Sequence, residues 1–166
     1  AEFAVATGPG PQNGPRVAGY SGGNFPVAFL ETNRVGDTSG QANVYMQRYS
    51  GANATVGGQI LANSVVPGSQ TAITLAAMSD GGIFVGWSVL DQDLDSNGIF
   101  GRRFDSSGSA VDAADAQLNQ KRQFSQNGPA IATGSSGTAA IVWTDNSQEG
   151  LGETNSGVEA RVFNPG

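Results

Sequence analysis

Apolar residues in this chain come in short blocks, each bounded by Gly, Pro, Asn or Ser. Blocks of that length, rich in β-branched and aromatic residues, predict strands joined by turns rather than amphipathic helices. Three families of block recur in a fixed order. The first is Gln12-Asn13-Gly14-Pro15-Arg16-Val17, Gln70-Thr71-Ala72-Ile73-Thr74-Leu75 and Gln126-Asn127-Gly128-Pro129-Ala130-Ile131. The second is Pro26-Val27-Ala28-Phe29, Phe84-Val85-Gly86-Trp87 and Ala140-Ile141-Val142-Trp143. The third covers residues 44–49, 99–104 and 158–163. They predict strands A, B and C of one repeated supersecondary unit.

Asp80-Gly81-Gly82 and Ser21-Gly22-Gly23 stand between A and B as hairpin turns, and Asn-Gly-Pro reads as a turn leading into strand A. A shorter block at residues 60–63 and 117–119 predicts strand D. The third repeat has no such block after strand C, whereas residues 2–7 precede Gln12 much as residues 60–63 precede Gln70. The expected order is therefore D-ABCD-ABCD-ABC within a single domain over 1–166. A terminal D strand occupies 1–10, repeat 1 occupies 11–67, repeat 2 occupies 68–123 and repeat 3 occupies 124–166.

Gln before strand A, the Gly-rich hairpin, the aromatic that ends strand B and Arg103-Phe104-Asp105-Ser106-Ser107-Gly108 after strand C together resemble a repeat of large bacterial exoproteins and adhesins, often found beside calcium-binding nonapeptide repeats. The resemblance spans the whole chain. It implies secretion to the cell surface or beyond, a β-propeller-like architecture and no catalytic activity. Four-stranded antiparallel units repeated radially are propeller blades. A ring typically closes with about four to eight of them, so three blades predict association with a second copy, as a half-propeller dimer or a head-to-tail polymer in which residues 2–7 complete a neighbour's sheet. A β-prism and a β-trefoil are the alternative all-β folds with threefold repetition.

Composition narrows the partners. Eight basic against fourteen acidic residues give a net charge of -6, which repels nucleic-acid backbones. No apolar run is long enough to span a membrane, so neither nucleic acid nor membrane insertion is expected. Histidine and cysteine are absent, which removes the commonest general base, the thiolate nucleophile and the usual zinc ligands. A non-catalytic extracellular module, structural or adhesive, follows as the first reading, and a carbohydrate-binding lectin as the second.

One stretch has metal-ligand spacing. Asp91, Asp93, Asp95 and Asn97 place oxygens at alternate positions of the loop between strands B and C of repeat 2, and calcium accepts such irregular oxygen sets. The corresponding loops of the other repeats carry Glu31, Asn33 and Asp37, or Asp145, Glu149 and Glu153, without that spacing. Trp87 and Trp143 share a register position with Phe29, which favours the core over a sugar-stacking platform. Arg48, Arg103 and Arg161 recur near strand C and suggest repeated ion pairs or packed stems.

Overall fold

The computed structural model describes residues 2–20, 22–34, 40–64, 68–90, 92, 96–146 and 156–163. These residues form an all-β structure of three antiparallel sheets with no helix among them. The first sheet has the order β1 (Gln12–Val17), β2 (Phe25–Glu31), β3 (Asn43–Tyr49), β4 (Thr55–Leu61). The second repeats it as β5 (Gln70–Ala77), β6 (Ile83–Leu90), β7 (Asn97–Phe104), β8 (Ala116–Gln117). The third holds three strands, β9 (Gln126–Thr133), β10 (Ala139–Asp145) and β11 (Gly157–Phe163), with β10 in the middle. Each sheet is thus a meander, as short hairpin connections require.

Two sequence expectations about local structure are corrected. Asn-Gly-Pro lies inside strand A, not before it: the β1–β2 register shifts between Asn13 and Arg16, and the β5–β6 register between Thr71 and Thr74. The shift is a β-bulge, whose extra residue takes a left-handed backbone. Gly14 (φ 60°) and Gly128 (φ 63°) supply it without a Cβ clash, whereas repeat 2 places Ala72 there at φ 41°. The second correction concerns residues 2–10, which join no sheet. They lie instead on the outer face of the first sheet, where Tyr49 donates a hydrogen bond to the Val5 carbonyl at 2.9 Å and the Phe3 ring sits 5.3 Å from the Tyr49 ring. Aromatic burial wins there because Phe25, Phe29, Tyr45 and Tyr49 offer a broad apolar surface that a lone edge pairing would leave wet.

Between the sheets, strand A of each later unit packs on the sheet before it. β5 lies against β1 and β2, and β9 against β5, β6 and β7. The first layer is filled by Leu30, Val44 and Met46 meeting Ile73, Val85 and Trp87, all buried. The second is filled by Phe84, Ile99 and Leu118 meeting Ile141 and Trp143. Trp87 is a core residue, fully buried. Backbone-directed bonds fix the stacking: the Ile131 amide donates to Thr74 Oγ1 at 3.0 Å, and Thr133 Oγ1 donates to the Ala77 carbonyl at 2.7 Å. Just past strand D in both four-stranded sheets an asparagine side chain continues the ladder to strand C. Asn63 Oδ1 accepts from the Val44 amide and Asn119 Oδ1 from the Ile99 amide, both at 2.9 Å.

Candidate functional site

The A–B turns of all three units and the C–D turns of the first two point to one end of the sheets, and there the three sheets border a cleft of about 600 Å³. Its lining includes Tyr20, Arg48 and Tyr49 from the first sheet, Met78, Ser79 and Ser106 from the second, and Thr133 and Ser135 from the third. The turns that carry these residues are forced by sequence. In the second unit the Gly81 amide donates to the Met78 carbonyl at 3.0 Å and Gly81 takes φ 85°, a conformation glycine adopts at no steric cost. In the third unit the Gly137 amide donates to the Gly134 carbonyl at 3.0 Å in the same way.

Chemically the cleft is mixed, with hydroxyls, an amide, the Tyr20 phenol and one guanidinium. Burial pushes the Tyr20 phenol up to about 12, against the opposing pull of the Arg48 charge, with Asp80 adding a smaller push upward. Tyr20 therefore stays a neutral hydroxyl, donor and acceptor at once, over the whole physiological range. Arg48 Nη1 donates to the Ser106 carbonyl at 2.7 Å, bridging the first and second sheets at the cleft wall.

A second cluster sits at the opposite end of the sheets, in a pocket of about 160 Å³. Trp143, Asp145, Glu159, Lys121, Asn119 and Arg161 line it. Asp145 is buried, and its Oδ1 accepts from Gln126 Nε2 at 3.0 Å, while Gln126 Oε1 accepts from Asn119 Nδ2 at 3.1 Å. Lys121 Nζ lies 3.0 Å from Glu159 Oε1 and 3.8 Å from Asp145 Oδ2, so one ammonium holds both carboxylates. The same glutamine-to-acid contact recurs in the first sheet, where Gln12 Nε2 donates to the buried Glu31 at 3.4 Å and Arg34 pairs with Glu31 at 3.2 Å. In the second sheet Val89 occupies the acid's position opposite Gln70.

Of the residues proposed from sequence as calcium ligands, Asp91, Asp93 and Asp95 lie outside the described residues. Asn97 opens β7, and its Nδ2 donates to Asn127 Oδ1 at 2.6 Å. Among the described residues no group of three acidic side chains gathers at metal-binding distance. The arginines follow the expected pattern in part. Arg103 pairs with Asp112 at 2.7 Å, and Arg161 donates to the Gln117 and Leu118 carbonyls while its guanidinium lies 5.1 Å from the Phe163 ring centre. Sequence reasoning did not find the cleft. Its residues belong to turns far apart in the chain, and no local spacing joins Tyr20 to Ser106 or Thr133.

The sequence matches no protein-family model and no curated protein. The structure is similar to that of an endo-arabinase from Bacteroides thetaiotaomicron VPI-5482, with 15% sequence identity and a TM-score of 0.55 over 99% of this chain and 60% of that one. It is also similar to a thermostable family-43 glycoside hydrolase, with 9% identity and a TM-score of 0.53 over 91% of this chain and 54% of that one. The chain spans less than two thirds of the length of either. The likeness establishes a β-propeller-like all-β fold.

These neighbours overturn the expectation of a non-catalytic structural module, because both are glycoside hydrolases. The physical reason is that glycoside hydrolysis generally runs on a pair of carboxylates. A chain without histidine or cysteine retains all the residue types that chemistry needs, so their absence does not exclude catalysis.

Proposed function

We propose that this chain is a carbohydrate-active domain of β-propeller-like fold that takes a glycan into the cleft at the turn end of its three sheets. The observation that carries this reading is the composition of that cleft. The neutral Tyr20 phenol, serine and threonine hydroxyls and the Asn24 amide are brought together from three sheets around a volume suited to more than one sugar ring. Sugars present hydroxyls around an apolar ring face, and such a wall answers both through hydrogen bonds and aromatic contact. Its fold is one that glycoside hydrolases use. A glycan array followed by calorimetry tests the reading. Oligosaccharides are expected to bind, and Tyr20→Ala is expected to weaken binding by about tenfold or more. An array with no reproducible glycan binding would sink it.

A second, hydrolytic reading is favoured by the Asp145–Glu159 pair. The two carboxylates share Lys121 beside Trp143, and one is buried while the other is part-exposed. Unequal environments are what divide an acid from a base in a glycosidase pair. Release of reducing ends from polysaccharides, lost by a factor of about 10²–10⁴ in Asp145→Asn and Glu159→Gln, is the expected signature. Activity unchanged in both variants would move any hydrolysis away from this pocket.

A further inference from the structure

Arg48 and Arg103 occupy the same register position in strand C of consecutive units, but their surroundings differ. Arg103 is neutralised. Its Nε lies 3.1 and 3.2 Å from the two Asp112 carboxylate oxygens, and its Nη2 donates to Oδ1 at 2.7 Å. Burial alone would raise the Asp112 carboxyl, yet the hydrogen bonds and charge of Arg103 outweigh it and hold that carboxyl below its ordinary range. Among the described residues no acid pairs with Arg48. Its guanidinium donates to the Ser106 carbonyl, and its Nε–H is buried with no acceptor among them. A Cβ at Gly108 would stand 2.9 Å from that Nε, so the guanidinium lies close against the facing turn.

The carboxylates closest in sequence to the cleft do not compensate it. Asp80 Oδ1 accepts from the Gly82 amide at 2.7 Å, and Asp105 Oδ1 accepts from the amides of Ser107 and Ser109 at 2.8 and 2.9 Å. Each is turned into its own tight turn. Arg48 therefore brings to the wall of the cleft a charge that no described carboxylate contacts directly, with unmet donor capacity, in a protein whose net charge is -6. A buried donor left without an acceptor costs stability, and a charge-assisted bond to a ligand carboxylate recovers it.

From this placement we infer that the cleft selects an acidic glycan, seating the carboxylate of a uronic acid residue against Arg48. The inference deepens the carbohydrate reading above and rests on it. Calorimetry with a four-unit oligogalacturonate and with its methyl ester tests it, since the ester removes the charge and adds one methyl group per sugar unit. The acid is expected to bind at least about tenfold tighter than the ester, and that margin should shrink as salt is raised. Arg48→Gln is expected to erase the margin between acid and ester, while Arg103→Gln, whose charge is already paired, should keep it. Equal affinity of the wild-type chain for acid and ester overturns the acidic-glycan inference but leaves glycan binding intact. Failure of both to bind, with the glycan array also empty, overturns the carbohydrate reading itself. A sulfated oligosaccharide that binds tenfold tighter than the uronate overturns the carboxylate assignment. The wild-type comparison stands even if Arg48→Gln does not fold.

Discussion

The first and third sheets are built from the same repeat, yet their outward faces differ. On the first, Val27, Phe29, Tyr45, Gln47 and Tyr49 are all buried, covered by residues 2–10 and by the Arg34 guanidinium 4.3 Å from the Tyr45 ring centre. On the third, the outward rows run Ala132–Ala140–Val162 and Ala130–Val142–Ala160, and Val158, Val162 and Val142 are 78%, 59% and 37% exposed. The strands register the difference directly. β2 is buried at nearly every position, while β10 and β11 alternate inward and outward. One repeat sequence thus yields a two-sided or a one-sided sheet according to what lies over it, because burial is set by neighbours and not by the strand.

The largest test of this contrast is removal of the third sheet's single packed face. Trp143→Ala is expected to cost about 3–5 kcal/mol. Amide exchange should accelerate across β9 to β11 well before β2 and β3, because Trp143 and Ile141 are the third sheet's buried contribution to the second layer. Uniform acceleration over all three sheets would show that they unfold as one unit.

Alkaline pH should act on the opposite side, since all three tyrosines, Tyr20, Tyr45 and Tyr49, belong to the first unit. Burial raises the Tyr20 phenol to about 12 and also raises Tyr49. A raised folded-state value means the unfolded chain releases its protons first. The stabilisation is therefore complete below the ordinary tyrosine value of about 10 and is lost as pH climbs through 12. Thermal melts from pH 8 to 12 should show this decline, and Tyr20→Phe should make it shallower. A flat profile would mean that the phenols ionise equally in both states.

Between these sheets, Ala72 holds a left-handed backbone that Gly14 and Gly128 hold in the flanking units. Ala72→Gly is expected to stabilise by about 0.5–1 kcal/mol, the relief of Cβ strain less the added chain entropy, read as a shift in urea midpoint. The smallest effect should come from the bare face. Val162→Thr is expected to change stability by less than about 0.5 kcal/mol, whereas Val27→Thr on the covered face should cost about 1–3 kcal/mol for its buried hydroxyl. Equal costs would show that both faces are dry.

Sequence alone determined the strands and their grouping. Short β-branched blocks between Gly-rich turns, recurring in the order A, B, C, can satisfy their backbone groups only as hairpins, and β2–β3, β6–β7 and β10–β11 follow the blocks closely. The absence of histidine and cysteine was equally legible, but its meaning was not, since carboxylate chemistry needs neither. Tertiary structure decided the rest. Residues 2–10 read as a fourth strand by spacing, but the aromatic face of the first sheet buries more apolar surface than a single edge pairing, so they cover that face instead. Tyr20, Arg48, Ser106 and Thr133 carry no mutual spacing in the chain. Only the stacking of strand A on the preceding sheet brings their turns to one end, and that stacking is fixed by side-chain volume between layers, which local pattern does not encode.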